Sequence, residues 1–253
     1  MRLHHLGAQA QARRASFELG QRPDGRALLV DLWRPQAGEG PWPVALLLHG
    51  AAPDSFGLPF RESALFEGWG RALASAGAAA LAFDHTLGWP AFRLDHAMAE
   101  IEAVLCWLDA DGPRLSLDPT RLTAIASSAA GVLAAELATR AVQPRIGRLA
   151  LLSPLAAAPD EAEATAPVRA RMDLAGRAAE VAAAGVRLVI VRAGADEAPR
   201  LQALDCAVAA LSAAGAGLSV IDAPGAPHAF EAVRAGPDTD AAVEATLALA
   251  GWR

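Results

Sequence analysis

Short apolar runs alternate along this chain with longer stretches in which apolar residues recur at helical spacing. Continuous apolar runs bounded by turn residues indicate buried strands, and the helical spacing indicates helices that pack on one face. The predicted strands are residues 15–19, 27–33, 44–48, 78–83, the run that ends near 126, 146–152, 186–192 and 218–221. The predicted helices are residues 61–76, 95–109, the pattern that runs to 138, one helix within 153–185, 200–214 and 238–250.

The order of these elements predicts an α/β fold. Strands that alternate with helices predict right-handed crossovers and a mainly parallel central sheet with helices on both faces. The turn Pro23-Asp24-Gly25 between the first two runs predicts an antiparallel hairpin at the start of the sheet. Residues 153–185 are long enough for a small flap but not for a large cap. We expect a single domain over 1–253, with about 1–14 as a loose extension.

The segment 121–138 is typical of a strand, a sharp turn and a helix. Its central residues read ASSAA. In a Gly-x-Ser-x-Gly turn the serine hydroxyl stands clear of the sheet, and the outer positions are small because strand and helix pass close together. A nucleophile at Ser128 leaves alanine at both outer positions, whereas one at Ser127 would place Ile125 there. Ser128 is therefore the predicted nucleophile; the alternative is that either serine only caps a helix.

A serine hydroxyl needs a base to accept its proton and a third group to orient that base. His228 is the one histidine that follows Ser128 in the sequence, and it lies just beyond the last predicted strand. Asp196 leaves the end of the preceding strand and is the predicted acid, with Glu197 as its neighbour. Asp222 is the alternative acid, although its closeness to His228 in the chain would require a tight loop.

Acyl transfer also needs backbone donors for the negative charge that develops on the carbonyl oxygen. The turn His49-Gly50-Ala51 ends a central predicted strand, and Ala129 follows the predicted nucleophile. The amides of Ala51 and Ala129 are the predicted oxyanion donors, and His49 is interpreted as a structural residue of the turn.

The loop 52–61 and the segment 153–185 are predicted to cover a mostly apolar substrate pocket. The loop contributes Phe56, Leu58 and Phe60. Asp84 and His85 end a neighbouring strand, where a solvated loop pair is the alternative interpretation. The predicted pocket residues are Ala52, Phe56, Asp84, His85 and Ser127.

Composition narrows the partners. The chain has 253 residues, 53% of them hydrophobic and 20% charged, with a net charge of −6. This balance is typical of a soluble globular protein and provides no basic surface for nucleic acid or an anionic membrane. Neither a signal-peptide core nor a long uninterrupted apolar run occurs, so we expect a cytoplasmic protein.

The remaining candidate chemistry is weak. Cys106 and Cys206 lie in helical patterns, which predicts small buried thiols and no disulfide. The adjacent His4 and His5 lack a carboxylate or cysteine cluster, so they are interpreted as solvated residues and no metal site is predicted.

The predicted site residues together resemble the α/β-hydrolase superfamily. Ser128, Asp196, His228 and the turn 49–51 carry that resemblance, and RAGADEAPRL followed by DAPGAPHAF resembles its dienelactone-hydrolase-like branch. The resemblance implies a hydrolase of small esters or lactones with no metal or organic cofactor. Dienelactone hydrolases use a cysteine nucleophile, so the serine here implies a general esterase.

The chain departs from the family pattern at its turns. Alanine replaces both glycines of the turn around Ser128, and the oxyanion turn reads His-Gly-Ala-Ala, so methyl groups stand where backbones approach closely. A non-catalytic binding protein of the same fold is therefore the second hypothesis, and a peptidase or acyltransferase with the same triad is the third. The sequence predicts neither the physiological substrate nor the oligomeric state.

Overall fold

The computed structural model describes residues 12–51, 59–140, 146–233, 236–249 and 251, and within them eight strands form one sheet. The strands are β1 (Ala12–Gln21), β2 (Ala27–Pro35), β3 (Trp42–Leu48), β4 (Ala79–Phe83), β5 (Leu117–Ser127), β6 (Ile146–Leu152), β7 (Arg187–Ala193) and β8 (Leu218–Ala223). The α-helices are α1 (Ala64–Ser75), α2 (Leu94–Asp111), α3 (Ala134–Thr139), α4 (Ala166–Arg171), α5 (Ala178–Ala184), α6 (Ala198–Ala213), α7 (Phe230–Val233) and α8 (Pro237–Leu249). Short 3₁₀ helices cover Phe60–Glu62, Gly112–Leu115 and Ser128–Leu133.

The sheet has the order β1-β2-β4-β3-β5-β6-β7-β8. β1 pairs antiparallel with β2 and β2 antiparallel with β4, whereas every other neighbouring pair is parallel. The predicted α/β architecture, its mainly parallel sheet and its antiparallel opening hairpin are therefore confirmed. In a sheet of this kind the carboxyl ends of the parallel strands share one edge, which is where ligands bind.

Helices cover both faces of the sheet, as predicted. In β3, Val44, Leu46 and Leu48 pack with α2, α3, α5 and α6 on one face, whereas Ala45 and Leu47 pack with α1 and α8 on the other. Because successive side chains of a strand point to opposite faces, a central strand must be apolar throughout to fill both cores. This requirement explains the continuous apolar run of β3.

The start of the chain differs from the prediction. β1 begins at Ala12, so residues 12–14, expected in a loose extension, belong to the sheet. Arg14 binds the buried carboxylate of Asp31 on β2 at 2.8 Å, which ties this end of β1 to the sheet. His4 and His5 lie outside the described residues.

The segment 153–185 contains α4 and α5 instead of the single helix predicted. Ala91 and Glu163 form an isolated parallel bridge, and the Glu163 amide donates to Pro90 O at 2.8 Å. The segment therefore packs against the loop that follows β4. None of the described helices is long and apolar enough to cross a membrane.

The cysteines lie in helices, as predicted, but the expectation of burial is wrong. Cys106 of α2 and Cys206 of α6 are both exposed and free. Val104, Leu105 and Leu108 form the buried face of α2 around Cys106, which places the thiol on the outer side.

The helix α1 requires glycine where it crosses β2. A Cβ built on Gly70 would lie 2.4 Å from Cδ2 of Trp33, whose side chain is buried. Gly70→Ala therefore forces α1 and Trp33 apart. We expect a loss of about 1–3 kcal/mol in the free energy of unfolding, which exceeds the gain of up to about 1 kcal/mol from helix propensity. Urea unfolding measures this loss.

Gly147→Ala is the matched control for Gly70→Ala. Its added Cβ would meet Leu122 O at an ordinary 3.7 Å. Equal unfolding midpoints for the two variants would contradict the packing argument.

Candidate active site

The sharp turn at Ser128 joins β5 to the 3₁₀ helix Ser128–Leu133 at the carboxyl edge of the sheet. Ser128 has a φ of 52°, a left-handed conformation that costs a non-glycine residue about 1–3 kcal/mol. Its carbonyl oxygen accepts a hydrogen bond of 2.9 Å from the amide of Leu155, in the loop after β6. The strained residue is thus fixed by neighbouring backbone.

The tightest contacts at this turn are made by glycines and not by the alanines of the motif. Ala126 and Ala130 are fully buried, so both methyl groups are accommodated. A Cβ on Gly131 would lie 2.5 Å from Cβ of Pro154, and one on Gly50 would lie 3.0 Å from Cβ of Ser128. Glycine is therefore needed at Gly131, one residue beyond the motif, and a methyl group at Gly50 would press against the predicted nucleophile.

The structure brings three of the predicted residues into one chain of hydrogen bonds. Ser128 Oγ lies 2.6 Å from His228 Nε2, and His228 Nδ1 lies 2.6 Å from Asp196 Oδ2. Since a carboxylate only accepts, Nδ1 carries the imidazole proton and Nε2 accepts from the serine hydroxyl. This tautomer is the one that a general base requires.

Asp196 is well placed to orient the imidazole. Its side chain is 5% exposed, and its other oxygen accepts from the Glu197 amide at 2.7 Å and from Arg200 at 3.3 Å. The neighbouring Glu197 side chain is 69% exposed and pairs with Arg200. Asp222, the alternative acid, is exposed at the end of β8.

Ser153 also supports the histidine loop, although sequence reasoning did not identify it. It is 1% exposed with a φ of 39°, and its amide donates to Val191 O at 3.0 Å. Its hydroxyl accepts a hydrogen bond of 3.0 Å from the amide of Ala229, which follows His228. The only sequence signal was a Ser-Pro pair directly after β6.

The predicted oxyanion turn is held by a pair of buried histidines. The rings of His49 and His85 stack with centroids 3.8 Å apart. His49 Nδ1 lies 2.6 Å from Gly50 O, and His49 Nε2 accepts from the His85 amide at 3.1 Å. His85 Nε2 lies 3.0 Å from His49 O, and its Nδ1 faces the Leu87 amide at 3.4 Å.

These contacts define two neutral rings with one donor and one acceptor nitrogen each. Burial lowers the pKa of His49 to about 4. Burial, followed by the proximity of His49, lowers the pKa of His85 well below its usual value. His49 therefore shapes the turn, as interpreted from the sequence, and His85 is a second fixed part of it.

The other predicted pocket residues have different positions. Asp84 accepts from the Arg61 amide at 3.1 Å and pairs with the Arg61 side chain. Ser127 is buried. Ala52 and Phe56 lie outside the described residues, whereas Phe60 stacks on His49 with centroids 4.3 Å apart.

Within the described part of the chain, no group of three or more His, Cys, Asp or Glu side chains could hold a metal ion. The hydroxyl, imidazole and carboxylate chain can perform nucleophilic and general-base chemistry. The two predicted oxyanion donors follow Gly50 and Ser128 in the chain. Ala129 is the second residue of the 3₁₀ helix, where the first amides lack partners within the helix, and Ala51 follows Gly50.

No protein-family model matches the sequence, and no curated protein matches it. Solved structures do match. Carboxyl esterase 2 from Tuber melanosporum has a TM-score of 0.75 and 20% identity, over 97% of this chain and 88% of that chain. A thermostable esterase from Pseudomonas putida has a TM-score of 0.73 and 18% identity, over 94% and 82%. A fungal esterase from Rhizomucor miehei has a TM-score of 0.73 and 17% identity, over 98% and 84%. The likeness shows that this chain has the α/β-hydrolase fold.

The buried His49 makes a prediction about acid stability. An unfolded His49 binds a proton near pH 6.5, whereas the folded one binds it near pH 4, so unfolding takes up a proton between these values. Stability therefore falls as the pH is lowered through this window. In His49→Phe this contribution is absent, and the loss between about pH 7 and pH 5 should shrink by about 2 kcal/mol.

Urea unfolding at the two pH values measures the His49→Phe effect. His96 is exposed on α2, so His96→Phe controls for the removal of one histidine. The interpretation fails if the two variants show the same acid dependence.

Proposed function

We propose that this protein is a serine hydrolase that cleaves small carboxylic esters or lactones through an acyl-enzyme. The observation that carries the proposal is the chain of hydrogen bonds from Ser128 through His228 to Asp196, with 2.6 Å at each step. The structural neighbours are esterases, which supports the proposal. The dienelactone-hydrolase-like branch and a cytoplasmic location are finer parts of the same proposal.

In the first half of the reaction, Ser128 Oγ attacks the ester carbonyl carbon while His228 Nε2 takes its proton. Asp196 accepts a hydrogen bond from Nδ1 and stabilises the imidazolium that forms. The imidazolium then donates its proton to the leaving alcohol, and the acyl group stays on Ser128. In the second half His228 deprotonates a water molecule, which attacks the carbonyl carbon of the acyl-enzyme. The imidazolium then returns its proton to Ser128 Oγ as the acyl–oxygen bond breaks, which releases the acid and restores the serine.

We assign the oxyanion of the tetrahedral intermediate to the amides of Ala51 and Ala129. The contact of Gly50 with the Ser128 side chain supports Ala51, because it places the turn after β3 beside the nucleophile. His49 Nδ1 donates to Gly50 O, and in a trans peptide the N–H points away from the carbonyl. The His49 ring thus directs the Ala51 amide away from itself.

The pocket remains a prediction from the sequence. An apolar lining with Ala52 and Phe56 would suit acyl groups of small to medium size. A non-catalytic role is disfavoured, because the alanines of the turn around Ser128 are accommodated without loss of the Ser128–His228 hydrogen bond. Acyl transfer to an acceptor other than water would use the same three residues.

Replacement of the nucleophile tests the proposal directly. Ser128→Ala removes the attacking oxygen, so kcat for p-nitrophenyl acetate should fall by about 10⁴-fold or more. Fluorophosphonate labelling should be lost in the same variant. Ser212→Ala, on the exposed side of α6, is the matched control and should keep both properties. Unchanged hydrolysis by Ser128→Ala would refute the mechanism.

The two candidate acids can be separated by the same assay. Asp196→Asn exchanges the acceptor at His228 Nδ1 for an amide, which favours the wrong tautomer, and we expect kcat to fall by about 10³–10⁴-fold. Asp222→Asn alters an exposed carboxylate at the end of β8 and should leave kcat unchanged. A larger loss in Asp222→Asn than in Asp196→Asn would reverse the assignment.

A further inference from the structure

A buried carboxyl group lies behind the turn that carries Ser128. Glu231 belongs to α7, three positions after His228 in the chain. Its side chain is 2% exposed, and neither carboxylate oxygen has a hydrogen-bond partner of standard geometry among the described residues. The Ser127 hydroxyl, next to Ser128, is nevertheless close enough to act on the pKa of Glu231. One carboxyl group thus lies between the histidine loop and the serine turn.

Glu231 differs from the other buried carboxylates of the fold. Asp31 pairs with Arg14 and Arg61, and Glu100 binds Arg22 and Thr86. A buried carboxylate without a cation is costly, and such a group is usually neutral instead. The surroundings of Glu231 are therefore those of a carboxylic acid.

The charge state follows from these surroundings. Burial raises the pKa of Glu231 to about 7, while its own amide and the Ser127 hydroxyl act in the opposite direction. No charged side chain of the described residues contributes. The ionisable groups on the neighbouring elements, none of which contributes, are His228, Asp196, Glu67 and Arg71 of α1, and Asp238, Asp240 and Glu244 of α8.

We propose that Glu231 is a positioning residue that supports the reaction as a neutral acid, by allowing α7 to stay packed in the core next to the histidine loop, and that its ionisation displaces α7. The inference rests on the proposed hydrolase function. A neutral carboxyl group is tolerated at this buried position, whereas the ionised group places a charge there without a cation to pair with. The buried negative charge then favours movement of α7 towards solvent.

Movement of α7 reaches the reaction through His228. Phe230 anchors α7 in the core of α1 and α8, and Ala229 links it directly to His228. The Ser153–Ala229 hydrogen bond holds the same loop from the other side. A shift of α7 would therefore lengthen the 2.6 Å contact of His228 with Ser128. It would lower kcat more than it changes KM.

The test compares the pH profiles of the wild type and Glu231→Gln with p-nitrophenyl acetate. The wild-type profile should have an alkaline limb, because the rate falls as Glu231 ionises. Between about pH 6.5 and pH 8.5 the wild-type kcat should fall by about tenfold or more, because the neutral fraction of a group with a pKa near 7 falls by about that factor over this range. Glu231→Gln cannot ionise, so its kcat should reach a plateau, with KM unchanged.

Two further variants sharpen the comparison. Ser127→Ala removes a group that lowers the pKa of Glu231, so the alkaline limb should move to higher pH. If Glu231→Gln does not fold, the shift of the alkaline limb in Ser127→Ala still tests whether ionisation of Glu231 sets that limb. Glu67→Gln changes an exposed carboxylate that pairs with Arg71, and it should reproduce the wild-type profile.

Thermal unfolding gives a readout that does not depend on catalysis. The folded pKa lies above the usual value of 4.5, so folding favours the proton and the wild type loses stability as the pH rises through this window. The unfolding temperature of Glu231→Gln relative to the wild type should therefore increase from about pH 4.5 to pH 7 and then level off.

Each negative outcome has a separate meaning. Parallel unfolding curves would show that Glu231 is not a neutral acid and would overturn the inference. An alkaline limb that persists in Glu231→Gln would overturn the positioning role even if the unfolding curves diverge. If the wild type hydrolyses no ester at any pH, the proposed function fails and the positioning role with it, while the unfolding comparison still establishes the charge state of Glu231.

Discussion

The left-handed backbone at Ser128 is the constraint on which the site depends. This conformation is strained for serine, and it persists only where the surrounding structure excludes the alternatives. Here Gly50 lies against its side chain, Gly131 lies against Pro154, and Leu155 binds its carbonyl oxygen. These contacts come from the loops after β3 and β6, the two neighbours of β5 in the sheet. The strand order, which places β3 and β6 on either side of β5, therefore keeps Ser128 in its strained conformation.

The sequence predicted much of this framework because buried parallel strands must be apolar throughout. The central parallel strands follow from that requirement, whereas β1 and β2 were indicated by two β-rich runs around a turn, and the candidate site residues could be found at strand ends. His228 stood out because no other histidine follows Ser128. The faces of the helices were harder to predict. The alanine-rich helix α6 has apolar residues on most sides, so the pattern did not show that Cys206 faces solvent.

The supporting residues could not be predicted, because their roles depend on proximity in space. Ser153 and Ala229 are far apart in the chain, as are His49 and His85. Nothing in the local sequence around either member indicates its partner. Glu231 was harder still to identify. An acidic residue after a loop histidine is expected at the surface, and only the folded structure shows that it is buried.

The stacking of Phe60 on His49 joins two separate parts of the chain at one ring. His49 Nδ1 lies 2.6 Å from Gly50 O, and the Phe60 ring lies on the same imidazole with centroids 4.3 Å apart. A substitution at Phe60 can therefore act on the backbone at Gly50 through this shared ring. The backbone beside Ser128 is thus open to mechanical influence from a residue that does not belong to its turn.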